Sequence, residues 1–198
     1  MTMADNADLR QEVRRTYSQA AARPEDEHPF PMGRAFAESL GYPKEVLSSL
    51  PSIAVDAFTG VSNLSILADI PPGTRVLDLG CGAGLDSLIA SQRAGPGGRI
   101  VGVDFSEAML DRAFHAAESM GAPWIEFLLG EAEELPADDA SVDVALVNGL
   151  FNLNPRRQEI FKELARVLRP NGVLYAAELV LKGPLPSHVK ASESNWFA

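Results

Sequence analysis

The sequence predicts an α/β fold, a doubly wound and mainly parallel sheet with helices on both faces. Three observations carry this. Arg75–Leu79 (RVLDL) is a short apolar run of the buried-strand type. Three glycines follow it at alternate positions, Gly80, Gly82 and Gly84, before Leu85–Ala90 opens a helical pattern. Arg99–Val103 (RIVGV) is a second apolar run, and it ends on Asp104, twenty residues after Gly84.

Each observation has a chemical meaning. Glycines after a strand let the backbone take positive φ and let its amides approach a bound nucleotide or cofactor. An acidic residue at the tip of the second strand is placed to accept both hydroxyls of a ribose. A dinucleotide fingerprint, G-x-G-x-x-G, needs glycine at position 85, where this chain has Leu85. A nicotinamide-dependent oxidoreductase is therefore ranked below other cofactor users.

Composition narrows the classes. The chain has 198 residues and a formal net charge of −10, which suits one compact unit and disfavours nucleic acid or anionic membrane as partner. The single cysteine, Cys81, cannot form an internal disulfide. No signal-type or transmembrane-length apolar run is present, so a soluble cytoplasmic protein is expected, with no metal site.

In chain order, Leu9–Ala22 reads as a helix with Val13, Tyr17 and Ala20 or Ala21 on one face. Arg23–Pro31 is a charged, proline-bearing loop. Arg34–Leu40 and Pro43–Leu50 read as two short helices, and Phe58–Asn63 as a loop or connector. The boundary falls at Pro71–Pro72–Gly73, giving an N-terminal segment 1–70 and a sheet-bearing segment 71–198. Ser106 is the expected N-cap of a helix whose apolar stripe is Met109, Leu110, Ala113, Phe114, Ala117 and Met120, ending near Gly121. Trp124–Leu129 is the third strand and Val142–Val147 the fourth. Asn148–Asn154 (NGLFNLN) follows at the carboxyl edge, where its asparagines either orient a polar substrate or cap the next helix, started by Pro155. Ile160, Phe161, Leu164, Ala165, Val167 and Leu168 form that helix's core face. Arg169–Gly172 is a turn before the fifth strand, within Val173–Leu181.

The stretches VLDLGCGAGLDS, GVDFSEAML, LLGEAEELP and VLRPNGVLY together resemble the Rossmann-like S-adenosylmethionine-dependent methyltransferases, in particular their arsenite-methyltransferase-like branch. The resemblance runs from about Val13 onward. It implies S-adenosylmethionine as cofactor and S-adenosylhomocysteine as product. It implies that segment 1–70 folds over the cofactor as a helical lid, with Tyr17 either against the cofactor's methionine end or simply in the core. Around the cofactor it places Asp78, Gly80, Cys81, Gly82, Gly84, Asp86, Asp104, Phe105, Met109, Glu131, Ala132 and Asn148. Glu131 stands where relatives usually carry Asp to accept from the adenine amino group. The family's usual last two strands are missing, so the fifth strand is an open edge or is covered by a homodimer partner or the C-terminal segment 182–198. A shortened reading frame is a further expectation.

The expected reaction is in-line transfer of a methyl group to a small-molecule acceptor, with Glu178 as candidate base and Asn148 as orienting amide. His28 is the only histidine with a path to the site; His115 and His188 read as surface residues. Arsenic-methylating relatives bind trivalent arsenic through several thiolates. This chain has Gly149 where they have cysteine, so arsenite is the less favoured acceptor. The alternative is a cofactor-binding protein that is inactive or needs a partner.

Overall fold

A computed structural model describes residues 3–180 and Gly183. The expected tail 182–198, with His188 and the Trp196–Phe197 pair, lies outside the described residues except for Gly183. Five strands form one sheet: β1 (Arg75–Leu79), β2 (Arg99–Asp104), β3 (Ile125–Leu129), β4 (Val142–Asn148) and β5 (Leu168–Ala177). Their order is β3-β2-β1-β4-β5, and every pairing is parallel. Winding runs outward from β1 to β3, then restarts on β1's other side at β4. The β1–β4 junction is therefore the point where the carboxyl edge opens into a crevice.

The strands alternate faces, as a sheet covered on both sides must. Val76, Ile100, Val144 and Leu146 meet Leu64, Ala68, Ala90 and Ala94 on one face. Leu77, Leu79, Ala145 and Val147 meet Ile160, Leu164 and Val167 on the other. Leu77 and Ile160 are fully buried, each stabilising by roughly 2–3 kcal/mol through apolar burial. Helices α6 (Leu85–Ala94) and α7 (Glu107–Ser119) cover the first face, and α8 (Arg157–Val167) the second.

The N-terminal segment is helical as expected: α1 (Met3–Ala22), α2 (Gly33–Ser39) and α3 (Lys44–Ser49). Two further single turns, α4 (Ser52–Val55) and α5 (Leu64–Leu67), were not legible, because four residues carry too little periodicity. Leu47, Val55 and Phe58 from this segment pack on Leu85, Leu88 and Ala116, so α2–α4 sit on α6 and α7.

Several sequence expectations need correction. The buried stripe of α7 is Met109, Ala113, Ala116 and Ala117, whereas Phe114 is exposed. Position 114 lies five residues after Met109, off the i, i+4, i+7 face. In α8, Ile160, Leu164 and Val167 hold that face, while Phe161 and Ala165 are exposed and Leu168 already belongs to β5. Pro155 does not start α8. The chain first makes a 3₁₀ turn at Phe151–Leu153, and α8 begins at Arg157. Arg169–Gly172 is a bulge inside β5, since Val142 pairs Leu168 and Val144 pairs Val173. Glu178 lies just past β5, not on it. Among the described residues β5 pairs only with β4, so its outer edge is open. No described helix is long and apolar enough to cross a membrane.

Candidate active site

A cavity of about 520 Å³ opens at the carboxyl edge of β1 to β4, under α1. Of the expected site residues it is lined by Tyr17, Gly80, Gly82, Asp104, Phe105, Met109, Glu131, Ala132 and Asn148. Asp78, Cys81, Gly84, Asp86 and Glu178 do not line it; Asp78, Cys81 and Asp86 line a smaller pocket that shares Thr59, Gly80, Gly82 and Asn148 with it.

The floor is the glycine turn. Gly80, Gly82 and Gly84 all have positive φ, at 75°, 51° and 86°. A Cβ on Gly84 would come within 3.0 Å of Ala113, so this glycine lets α6 pack against α7. Gly82 donates its N–H to Asp104 Oδ2 at 2.9 Å, which joins the turn to the tip of β2. Ser106 N–H donates to the other oxygen at 2.9 Å. Asp104 is 7% exposed, and burial pushes its carboxyl up, partly offset by the N–H groups of Ser106, Gly82 and Phe105. With three backbone N–H groups on its two oxygens, the carboxylate keeps lone-pair capacity for a ligand hydroxyl. Ser106 caps α7 as expected, accepting from Met109 N–H at 3.4 Å.

The roof is α1. Tyr17 stacks on Phe30 with ring centroids 4.7 Å apart. Its hydroxyl has no hydrogen-bond partner among the described residues, and its pKa is raised by burial and by the charges of Asp104 and Glu178. It is therefore a proton-bearing donor. Arg10 and Arg14, one helical turn apart, reach Glu131 at 2.6 and 2.5 Å. Arg14 also lies 5.6 Å from the centroid of Phe105. These arginines were missed, although Arg10, Arg14 and Tyr17 at i, i+4 and i+7 share one helix face.

The β4 side is different in kind. Asn148 Oδ1 accepts from Val61 N–H at 2.9 Å and Ser62 N–H at 3.1 Å. Its Nδ2 donates to Ser62 O and to Asp86 Oδ2, both at 2.8 Å. All four hydrogen-bonding capacities of this amide are taken. Asp86, 6% exposed, also accepts from Tyr42 OH at 2.5 Å, from Ser65 N–H at 3.3 Å and from the Ser65 hydroxyl. Glu178 accepts from Phe151 N–H at 2.6 Å and Asn152 N–H at 3.4 Å, and burial raises its pKa. These two expected catalytic side chains thus tie the loop 59–63 and the 3₁₀ turn to the sheet. Asn148 has no unused hydrogen-bonding group, and Glu178 does not line the cavity, so neither stands as the sequence reading expected.

Behind the floor, Asp78 accepts from Ser87 Oγ at 2.5 Å, and burial, then the Asp86 charge, push its carboxyl up to about 8. Cys81 is buried, and burial pushes its thiol up further from an already neutral state. Such a thiol is a poor nucleophile and a poor ligand for soft ions. His28 bonds Arg23 O and His115 bonds Asp111 O, both away from the cavity. The described residues hold no cluster of three metal-ligating side chains. Thr59, Leu150, Leu153 and Asn154 complete the lining at the β4 end.

Residues 70–197 match the family model described as a methyltransferase domain. The chain is 38% identical over 154 residues to an arsenite methyltransferase of Halobacterium salinarum, covering 78% of this chain and 39% of that protein. It is 33% identical to a demethylmenaquinone methyltransferase of Bacillus cytotoxicus, covering 57% of this chain and 47% of the other. A solved arsenic(III) S-adenosylmethionine methyltransferase from Chlamydomonas reinhardtii superposes with a TM-score of 0.62 at 28% identity, over 85% of this chain and 57% of that one. The chain spans less than half the length of these two curated relatives.

Proposed function

The chain belongs to the methyltransferase-domain family, and we propose that it moves a methyl group from S-adenosylmethionine to a small-molecule acceptor. The observation that carries this is Asp104. It is buried at the tip of β2 and anchored by Gly82 and Ser106, with lone pairs to spare at the cavity beside the glycine turn.

The residues present fit the cofactor. The Gly80–Gly82 backbone would leave room for the methionine portion, Asp104 would accept ribose hydroxyls, and Phe105 and Met109 would flank the adenine. Glu131 and Ala132, just past β3 on the cavity wall, would hold its far edge. When bound, the cofactor supplies a methyl group on a sulfonium whose sulfur leaves without being protonated. What this chain's residues contribute is orientation, which is worth up to roughly 7–11 kcal/mol when both reactants sit in near-attack geometry. Tyr17 offers a hydroxyl donor, and Leu150, Leu153 and Thr59 wall the acceptor end. A base is needed only for an acceptor that is protonated at working pH.

The relatives' names suggest two acceptors, arsenite and a demethylmenaquinone. Arsenite is the less favoured, because this chain has one cysteine and its thiol is buried, neutral and off the cavity. The test is calorimetric titration of the chain with S-adenosylhomocysteine, followed by transfer of labelled methyl to an acceptor panel. Binding with turnover supports the proposal. Binding without turnover on any acceptor supports the cofactor-binding alternative, and no binding by folded chain rejects both.

A further inference from the structure

Helix α1 is fastened in two different ways along its length. Its second half is held by packing and by hydrogen bonds that are not ion pairs. Ala20 and Ala21 are buried to within 1% of complete, Ser18 Oγ meets Ser106 Oγ at 2.9 Å, and Arg112 Nε donates to Ala21 O. Around Arg10–Arg14, Val13 is buried, but the polar contacts to the body are ionic. Arg10 reaches Glu131 at 2.6 Å and Glu133 at 3.3 Å, and Arg14 reaches Glu131 at 2.5 Å. Arg156, from the loop before α8, lies 3.8 Å from the same Glu133. A chain of alternating charge thus runs Arg14–Glu131–Arg10–Glu133–Arg156. It crosses from α1 to the β3 loop and on to the β4 side.

Burial differs along this chain. The side chains of Arg10, Arg14 and Glu131 are 31%, 52% and 44% exposed, so salt reaches them. Glu133 is 3% exposed, and its oxygens accept no hydrogen bond among the described residues. Its charge is compensated by arginines alone, and one of the two belongs to α1. Arg10, Val13 and Arg14 line the cavity, so raising this part of α1 opens it.

Resting on the methyltransferase reading above, we propose that the first half of α1 is a salt-sensitive latch on the cofactor cavity. Arg10 and Arg14 hold it shut against Glu131 and Glu133, and their release governs how fast S-adenosylhomocysteine leaves. The Ala20–Ala21 anchor stays fixed and acts as the pivot. Opening breaks three ion pairs and unseats Val13.

The experiment is stopped-flow dissociation of S-adenosylhomocysteine between about 50 and about 500 mM KCl, a range over which screening lengths fall by roughly threefold. It compares wild type, the Arg10→Gln/Arg14→Gln double variant, and the Arg10→Lys/Arg14→Lys double variant. Thermal melts establish that each is folded. The expected result is a wild-type off-rate that climbs with salt. The glutamine variant releases ligand roughly three- to tenfold faster at low salt and is nearly independent of salt, the size expected for part-exposed ion pairs. The lysine variant keeps the salt dependence. A merely structural role for α1 would change melting temperature without changing the salt slope. Equal off-rates and slopes in wild type and the glutamine variant overturn the latch while leaving the methyltransferase reading intact. Absence of binding by folded wild type overturns both.

Discussion

The two sides of the sheet's carboxyl edge use the same kinds of residue in opposite ways. On the β1–β2 side, Asp104 accepts backbone N–H groups at both oxygens, keeps acceptor capacity in hand and lines the cavity. On the β4 side, Asn148 spends all four of its hydrogen-bonding capacities on Val61, Ser62 and Asp86, and Glu178 holds the 3₁₀ turn without lining the cavity. A polar side chain at a ligand-binding edge is thus not defined by its position. Its role depends on how much hydrogen-bonding capacity the fold leaves over.

The largest effect that sharpens this contrast is expected at Asp104. Asp104→Ala removes a charged acceptor from the cavity, and charged hydrogen bonds contribute about 1.5–3 kcal/mol each. Affinity for S-adenosylhomocysteine should fall roughly 100-fold or more in calorimetry. Next is Asn148→Ala, which leaves Val61 and Ser62 N–H groups and the Asp86 carboxylate short of partners. Urea unfolding should show a loss of about 2–3 kcal/mol, with Val61 and Ser62 amides exchanging faster.

A smaller effect concerns pH. The Asp78 carboxyl is raised in the folded chain to about 8, so folding takes up a proton. Its stabilising contribution is present below the unfolded value near 4 and is lost as pH rises through about 8. Wild-type stability should decline as pH rises across this window. Asp78→Asn should flatten the curve, and a parallel pH–stability series checks it. The smallest effect is expected at Glu178. Glu178→Gln keeps one acceptor oxygen for Phe151 N–H and should cost about 1 kcal/mol or less in urea unfolding. A large loss of methyl transfer with unchanged stability would instead return Glu178 to the chemistry.

Much of the β1–β2 side was legible because its constraints are local. Gly80, Gly82 and Gly84 adopt the positive φ that their spacing implied, and Asp104 ends β2 as expected. The β4 side was not legible, because its partners are distant in sequence. Asn148 meets residues 61, 62 and 86, and no pattern within NGLFNLN announces them. Arg10 and Arg14 carried a usable signal, their shared face with Tyr17. Their partners Glu131 and Glu133 lie more than a hundred residues away. The bulge at Arg169–Gly172 reads as a turn in sequence because its residues are turn formers, and only pairing to β4 shows that the strand resumes around it.

The most direct test of the contrast is one calorimetric series with S-adenosylhomocysteine on wild type, Asp104→Ala and Asn148→Ala, each confirmed folded. The account predicts roughly 100-fold weaker binding for Asp104→Ala and less than tenfold for Asn148→Ala. The reverse order, with Asn148→Ala the more damaging, would contradict it and make the β4 asparagine a direct cofactor ligand.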